Sequence, residues 1–445
     1  MKFAFEDKTH LNNFKLCGDK NNSGLLRFTP CPMTSTLVRY WQTKDRYNNL
    51  SFANYSIYHY GIDSDTTIKY LISTGVNHSP GEWCGPDRMG QGYNPSHPDR
   101  KSVFALLNDK YLKDLQDNNA MLMLDQSHEG YQVPWLWSWF HNECDENNIS
   151  PRNIIYVTGN CLAEEQYTAW ANTHGIVTRI KVVPYTHFEN MINVTAENRV
   201  RIDGGDPLPT FESHIEHKTN NPEELKTFNA LQKRIRPHRV WLYKMLHDHN
   251  LLQDGLCSMN EFTQYNTYLE GKSLPEDVID KYNEGLPLKV YNKANNEKDD
   301  GYYITRFNDE TILNTFVSVV SEASFADMDQ TCFLSEKTFK SIAEYSPFIV
   351  YGNRRSLEFL KGFGYKTFHP HIDETYDTLP TFERLEAIIK EITRIKNIED
   401  KVEWFKGMED ILQHNREVLR KNSNDYVPKA MMDVQRYYEE TLSVR

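Results

Sequence analysis

The sequence has no CxxC pair and no regular cysteine spacing. Its seven cysteines are scattered and odd in number, which disfavours both a disulfide framework and a zinc site. It also has no apolar run near the roughly eighteen residues of a transmembrane helix. Residues 1–15 carry charges where a signal peptide needs an apolar segment. We therefore expect reduced, mostly buried thiols in a cytoplasmic protein (the host cytoplasm if it is viral) without a membrane span.

Positive charge is also scarce. The chain has 50 Lys and Arg against 62 Asp and Glu, a formal net charge of −12, so the whole protein is not a general polyanion binder, although a local basic groove is compatible with this balance. Repeats, coiled-coil heptads and low-complexity tracts are missing as well. Because 445 residues, 39% of them hydrophobic, exceed what one core usually serves, two domains are expected. The plentiful Asn, Asp, Lys and Tyr weakly favour an AT-rich genome, such as that of a phage.

The middle of the chain alternates between apolar runs and amphipathic stretches. The apolar runs at 120–124 and 153–157 are each followed by a polar loop and then by a stretch with helical periodicity. This order is typical of parallel βαβ units, whose ligands bind beyond the carboxyl ends of the strands. The predicted elements are strand 120–124, helix 133–143, strand 153–157, helix 162–174 and strand 176–183.

A polar segment at 201–224 is predicted to contain the interdomain linker. A second α/β series follows it, and beyond Pro380 the apolar residues repeat with a helical period. The fold class is therefore α/β, with two Rossmann-like domains and C-terminal helices. The second series consists of strands 228–231, 315–320, 347–351 and 365–368 and helices 237–250, 336–345 and 354–361.

A basic segment, KRIRPHR at 233–239, directly precedes an amphipathic helix. Pro237 suits the first helical position, which places Arg236 and Arg239 beside the positive end of the helix dipole. Cations are disfavoured there unless an anion is bound, and a phosphate group would resolve the conflict. A solvated basic patch at a helix start is the alternative interpretation.

A second helix start lies at 335–338. Ser335 can cap a helix whose first turn contains Glu336 and Lys337, and a strand that ends in Gly352 follows. Lys337 at a helix N-terminus again suits a phosphate, and Glu336 is a natural acceptor for the hydroxyls of a sugar or ribose. An ordinary capped surface helix explains either residue alone, but two cationic helix starts in one domain favour a phosphate site.

These segments resemble the donor-site signature of GT-B glycosyltransferases, in particular the α-1,3-fucosyltransferase pattern. That pattern has a strand ending in Phe-Glu-Asn-Ser, a loop, Thr-Glu-Lys at a helix start, and a Pro-Val strand ending in Gly. Its counterparts here are Ser321-Glu322-Ala323-Ser324, Ser335-Glu336-Lys337-Thr338 and Pro347 to Gly352, with Ala323 in place of the Asn.

The resemblance implies how the donor is held. Glu336 would contact the donor sugar or ribose, and Lys337 with Arg236 or Arg239 would hold the diphosphate. The neighbouring His238, Glu322 and Thr338 complete the expected donor-binding set.

The resemblance also implies the architecture: two Rossmann-like domains of the GT-B type facing a central cleft. We expect an N-terminal acceptor-side domain at 1–225, a nucleotide-sugar-binding domain at 226–378 and C-terminal helices at 379–445. GT-B enzymes stabilise the departing diphosphate with basic side chains and helix dipoles rather than a metal. No metal and no cofactor beyond the nucleotide-sugar co-substrate is therefore expected, and Asp327-Met328-Asp329 is the weaker, metal-binding alternative.

An inverting transferase needs a general base near the acceptor hydroxyl. The candidates are Asp125, His128 and Glu129, which follow a predicted parallel strand. The alternative for Asp125 is that it caps the next helix. Thr158-Gly159-Asn160, after the next strand, would line the same cleft or only form a tight turn.

Other conspicuous residues are interpreted as structural. The cluster of Trp135, Trp137, Trp139 and Phe140 is expected in a core rather than as a carbohydrate platform. The histidines at 214–217 and 369–371 form no recognised metal-ligand set.

Three functions agree with these features. The first is an inverting glycosyltransferase acting on a glycan or another small hydroxyl acceptor. The second is the same reaction on a hydroxylated pyrimidine in phage DNA, which a basic stripe leading to the cleft would favour. The third is a non-catalytic nucleotide-binding or glycan-binding protein with the same fold.

Overall fold

The computed structural model describes the strands at 3–5, 57–58 and 70–75, then residues 104, 107, 109–127, 130, 136–197, 207–232, 234–288, 307, 309–323, 325 and 331–443. The chain divides into two compact units. Unit 1 comprises Met1–His187 with Asn424–Arg445, and unit 2 comprises Phe188–Ser423.

Unit 1 is built on a six-stranded parallel sheet. The strand order is β2-β1-β3-β4-β5-β6, and residues 120–124 and 154–157 are almost wholly buried, as expected for strands covered on both faces. The strands are β1 (Phe3–Phe5), β2 (Ile57–Tyr58), β3 (Tyr70–Gly75), β4 (Ala120–Gln126), β5 (Ile154–Thr158) and β6 (Lys181–Pro184). The helices are α1 (Asp109–Gln116), α2 (Leu136–Glu146) and α3 (Ala163–Thr173).

Unit 2 is built on a four-stranded parallel sheet with the order β10-β9-β7-β8. Its strands are β7 (Lys226–Leu231), β8 (Gly255–Ser258), β9 (Thr315–Ser321) and β10 (Phe348–Tyr351). The helices from His187 onward are α4 (His187–Glu197), α5 (Phe211–Asn220), α6 (Pro237–Asp248), α7 (Glu276–Asn283), α8 (Asp309–Leu313), α9 (Glu336–Ala343), α10 (Ser356–Gly362), α11 (Thr381–Lys396), α12 (Lys401–Lys406) and α13 (Glu409–Ser443).

The strand order of unit 2 locates a topological switch point. The chain passes from β7 to β8 on one side and then returns to place β9 on the other side of β7. In open parallel sheets the crevice outside the carboxyl ends of two such strands is the usual ligand site, because the connections that follow them diverge. In unit 2 this crevice lies after Leu231 and Ser321.

The predicted α/β class with two Rossmann-like sheets is confirmed. The apolar run at 120–124 and the strands and helices predicted around 153–174, 228–250 and 315–351 lie in the expected elements, within a few residues of their ends. The Trp cluster is core as predicted for Trp137, Trp139 and Phe140, which are at most 3% exposed, whereas Trp135 lies outside the described residues.

The predicted strand at 365–368 was wrong. Side chains replace the ladder hydrogen bonds there: the Asn415 amide both accepts from Lys366 N and donates to Lys366 O, at 2.8 Å each. The Glu374 carboxylate accepts from Phe368 N and from the Thr367 hydroxyl. These local bonds satisfy the backbone without a neighbouring strand.

The predicted linker at 201–224 contains helix α5. A capping box begins this helix, in which Thr210 and Ser213 exchange backbone and side-chain hydrogen bonds. In addition, Phe188 and Ile192 of α4 and Phe211 of α5 belong to the core cluster of unit 2. These packing contacts explain why 188–225 groups with the second sheet, while the proposed limits 1–225, 226–378 and 379–445 stay predictions.

Two expectations from composition concern cysteines and membranes. Among the described cysteines, Cys144, Cys161, Cys257 and Cys332 form no disulfide; Cys144 and Cys332 are buried and the other two partly buried. Burial raises the pKa of the Cys144 and Cys257 thiols to about 12. For Cys144, the nearby Asp145 and Glu143 contribute to the same rise. Within the described ranges, no helix has the length and apolar character to cross a membrane.

Candidate functional site

The switch point of unit 2 brings two helix starts to the carboxyl end of β9. Helix α6 begins at Pro237, with Arg236 in an extended N-cap conformation at φ −143° and ψ 148°. Helix α9 begins at Glu336, and the Ser335 hydroxyl accepts from Lys337 N at 3.4 Å. Both starts contact Glu322, the residue directly after β9, so the two positive helix ends converge there.

The Glu322 carboxylate joins β9 to the start of α9. It accepts from Ser335 N at 3.1 and 3.2 Å, from the Thr338 hydroxyl at 2.6 Å and from Ala323 N at 3.1 Å. Glu322 and Thr338 are 0% exposed. The carboxylate therefore orders the helix start, and its acceptor positions face protein donors.

Two residues of α6 bind the carbonyls at the end of β9. The His238 Nε2 lies 3.1 Å from Glu322 O, and its ring stacks on Phe325 at 4.7 Å with an interplanar angle of 6°. The Arg239 guanidinium donates to Ser321 O at 3.2 Å, to Glu322 O at 3.1 Å and to Arg234 O at 3.0 Å. Both side chains are 3% exposed, so they fix α6 against β9.

Glu336 and Lys337 form an ion pair at the start of α9. Lys337 Nζ lies 2.8 Å from Glu336 Oε1 and 3.3 Å from Ser335 Oγ. The side chain of Lys337 is 25% exposed and that of Glu336 is 15% exposed. Burial acts to raise the pKa of Glu336, but Lys337 and Lys340 together lower it below its usual value. Glu336 is thus a carboxylate near neutral pH that reaches solvent beside a cation.

Positive charge is concentrated around His238. Burial lowers the pKa of His238 well below its usual value, and the nearby Arg239, Arg236 and Lys337 lower it further. Burial and the neighbouring Arg236 lower the pKa of Arg239 to about 10. Glu322 and Glu336 act on Arg239 in the opposite direction and so offset part of the positive charge. Cations at helix N-termini are unfavourable in themselves, and a bound anion would offset more of this charge.

The seven residues predicted for donor binding all lie at the end of β9 or at the starts of α6 and α9, but they differ in burial. His238, Arg239, Glu322 and Thr338 are buried and hydrogen-bonded within the protein. Arg236, Glu336 and Lys337 are partly exposed. The second group is therefore better placed to touch a ligand, and the first group supports it.

One residue near the crevice was missed. Arg384 of α11 is 1% exposed and donates to Gly352 O at the end of β10 and to Leu379 O. Its guanidinium carbon lies 5.8 Å from the centre of the Phe325 ring. The sequence signal was weak because Arg384 lies on the apolar face of a predicted helix, where only its unusual chemistry distinguished it.

The predicted general-base candidates belong to unit 1. Asp125 lies near the carboxyl end of β4, in register with Gly75 of β3 and Val157 of β5, so its backbone is at the predicted edge. His128 and Glu129 lie outside the described residues.

The Thr158-Gly159-Asn160 segment forms a tight turn. Asn160 N donates to Thr158 Oγ1 at 3.2 Å, and the Asn160 side chain accepts from Leu162 N at 3.1 Å. Asn160 is 1% exposed. The turn leads into α3, and its amide is used within the protein.

In the described part of the chain, no group of three or more His, Cys, Asp and Glu could hold a metal ion. His214 is buried against Phe405, and His217 Nε2 lies 2.6 Å from Asn314 Oδ1. The Asp327–Asp329 segment lies outside the described residues.

Comparisons with known proteins give little beyond this geometry. No protein-family model and no curated protein matches the chain. A solved structure that matches is an α,α-trehalose-phosphate synthase (UDP-forming) from Burkholderia vietnamiensis, with 10% sequence identity and a TM-score of 0.38. The match covers 72% of this chain and 70% of that chain. A likeness this weak carries no information about substrate or mechanism.

Proposed function

We propose that the protein is an inverting, metal-independent glycosyltransferase that uses a nucleotide sugar. The main support is the geometry at the switch point of unit 2, where two helix N-termini and the cations Arg236, Arg239 and Lys337 gather around buried His238. The order of motifs that resembles the GT-B donor signature supports the same proposal.

The donor site follows from the chemistry of these groups. A diphosphate at the starts of α6 and α9 receives hydrogen bonds from backbone N–H groups and from the side chains of Arg236 and Lys337. Glu336, an ionised acceptor next to Lys337, receives hydroxyl hydrogen bonds from the ribose or the sugar. The negative charge that develops on the departing diphosphate is stabilised by the same fixed cations and dipoles, without a metal.

The acceptor side is assigned to unit 1. An acceptor hydroxyl loses its proton to a base while it attacks the anomeric carbon, and Asp125, at the carboxyl edge of β4, is the first candidate, followed by His128 and Glu129. The acceptor is a glycan or a hydroxylated pyrimidine in DNA. The net charge of −12 favours a glycan, because DNA binding depends on phosphate neutralisation by cations.

The donor site is tested by thermal shift with UDP-, GDP-, CMP- and dTDP-sugars, each with and without EDTA. A ligand that binds only the native state raises the melting temperature. We expect this rise with one of the four nucleotide classes, and we expect EDTA to leave the rise unchanged. Arg236→Ala and Lys337→Ala should each reduce the shift through the loss of a charge-assisted contact of about 1.5–3 kcal/mol.

The matched control is Lys406→Ala on α12, which removes a lysine that is 43% exposed and lies 3.6 Å from Glu403. It should bind the donor normally. If Arg236→Ala and Lys337→Ala also bind normally, the site assignment is wrong.

Catalysis is tested separately with the nucleotide sugar that binds. Wild type should transfer or slowly hydrolyse the sugar, and Asp125→Asn should retain donor binding while losing turnover. Binding without turnover on any glycan or hydroxymethylated DNA acceptor would favour the non-catalytic alternative.

A further inference from the structure

Gln232 and Ser321 are neighbours at the edge of the sheet where β7 and β9 end. Asn229 of β7 pairs in register with Ser318 of β9, and the same register continued by three residues sets Gln232 beside Ser321. Because side chains alternate between the faces of a strand, both lie on the face opposite Asn229 and Ser318. That pair of positions is at the carboxyl edge of the sheet, where β7 and β9 end.

Three polar side-chain atoms at this edge, or on the α6 residue that bonds Ser321 O, are buried and have no hydrogen-bond partner among the described residues: Gln232 Oε1, Ser321 Oγ and Arg239 Nε. Their residues are 3%, 2% and 3% exposed. Native proteins leave few such atoms, and each calls for an explanation. Three of them together at a topological switch point suggest a common partner.

Elsewhere in the β7–β9 strand pair, the side chains of Asn229, Thr315 and Ser318 have hydrogen-bond partners. Asn229 Nδ2 donates to Thr315 Oγ1 at 2.9 Å and to Ser318 Oγ at 3.0 Å, and Ser318 Oγ lies 2.8 Å from Ser346 Oγ. Within the described residues of the β7–β9 strand pair, the side-chain atoms that lack a partner thus lie at the edge where ligands bind in parallel sheets. Poor packing of the sheet in general does not explain them.

We propose that Gln232, Ser321 and Arg239 form the inner subsite for a nucleoside diphosphate. The Arg239 Nε–H and the Ser321 hydroxyl donate to a phosphoryl oxygen, while Gln232 Oε1 accepts from a ribose hydroxyl. The surrounding cations favour the anionic part of such a ligand. This inference rests on the proposed function and adds to it the residues that the donor reaches when fully seated.

The test compares two serines on one strand. Ser321→Ala and Gln232→Met remove groups without a protein partner, so the melting temperature of the unliganded protein should stay the same or rise. Affinity for the nucleoside diphosphate, titrated calorimetrically with UDP, GDP and dTDP, should fall about five- to tenfold for each variant. Ser318→Ala is the matched control: it removes a hydroxyl with two partners, so it should lower the melting temperature and keep the affinity.

The outcomes separate the subsite from the wider function. If wild type binds a nucleoside diphosphate and both variants bind it equally well, the subsite is refuted while the proposed function stands. Melting temperatures that fall as far as that of Ser318→Ala would likewise refute it, since the groups would then have structural partners. If wild type binds none of the three nucleotides, the subsite is refuted, and the proposed function fails with it unless the thermal-shift series finds a CMP-sugar that binds.

Discussion

Glu322 illustrates how one buried carboxylate organises the site. Its oxygens receive hydrogen bonds from the backbone and side chain of the α9 start, so the residue positions Glu336 and Lys337 without needing to touch a ligand. A buried charge of this kind is stable only while all of its donors remain. Removing one donor should therefore be measurable as a loss of stability.

Thr338→Val is the corresponding test, because valine keeps the shape and removes the hydroxyl that lies 2.6 Å from Glu322 Oε1. We expect the free energy of unfolding, measured with urea, to fall by about 1–3 kcal/mol. Thr173→Val is the control. Its hydroxyl is exposed and bonds only its own helix, so the change should stay within about 0.5 kcal/mol. Equal effects at the two sites would mean that the Glu322 contact contributes nothing.

Lys218 should give the protein a pH-dependent stability. Its amino group is fully buried, with Nζ within hydrogen-bond distance of Ile312 O, Leu313 O and Thr315 O, and burial lowers its pKa from 10.5 to about 7. Between these values the unfolded state binds more protons than the folded state, so stability rises with pH. The slope from this group approaches about 1.4 kcal/mol per pH unit.

The measurement is urea unfolding at several pH values from 7.5 to 9 for wild type and Lys218→Met. The variant is expected to be less stable, because the buried carbonyls around Lys218 lose their donor, and to lack this part of the slope. Parallel curves for the two proteins would show that Lys218 does not titrate in this range.

At the level of single residues, the sequence located the two helix starts of the candidate site but not the surroundings of each side chain. The helix starts at 236–239 and 335–338 are visible locally through Pro237 and the Ser335 cap. The partners of His238 and Arg239 at the end of β9 lie 82 to 84 positions away, beyond any local pattern. Sequence spacing therefore could not separate the supporting residues from those that face solvent.

The close approach of β10 to β9 requires a glycine at 352. A Cβ atom added there would lie 2.9 Å from Glu322 Cβ and 3.0 Å from its Cγ, so Gly352→Ala must displace the residue that holds α9. We expect a loss of about 1–3 kcal/mol in unfolding free energy, as for overpacking of a core, together with weaker nucleotide binding.

Gly362→Ala provides the comparison. It lies at the end of α10 in open space, so alanine should be neutral or stabilise by up to about 1 kcal/mol. The interpretation of Gly352 as a steric requirement is wrong if both substitutions leave stability and binding unchanged.

The elements that the sequence predicted well are those with a strong apolar period, such as β4, β9 and α11. Strand β8 was missed because its four residues are only partly buried, so they have no clear apolar signature. Helix α5 was missed because its capping signal lies in a polar stretch. The error at 365–368 has the opposite cause: an apolar, aromatic run that looks like a strand is held by the side chains of Asn415 and Glu374.

At the scale of the whole molecule, binding of the nucleoside diphosphate should be confined to unit 2. Hydrogen exchange, measured with the nucleoside diphosphate that raises the melting temperature, should slow at 231–239 and 321–338 of unit 2. Helix α2 of unit 1 should exchange as before and serves as the internal control. Protection of α2 without protection of the two switch-point segments would contradict a donor site in unit 2.

The fold class was accessible from the sequence because repeated strand–helix alternation imposes parallel sheets. The division of the chain was not, because it depends on where α4 and α5 pack. Their apolar residues, Phe188, Ile192 and Phe211, join the second core, and no composition shift marks that choice.

The two-part composition of unit 1 has a consequence for protein synthesis. The boundary at Ser423 falls within α13, and residues 424–443 group with a sheet that is encoded more than two hundred residues earlier. On the ribosome, unit 2 is therefore complete before unit 1, although domains usually finish in N-terminal to C-terminal order. The strands of unit 1 must wait through the translation of an entire second domain before their last helix arrives, a period in which a chaperone would have its best opportunity to bind them.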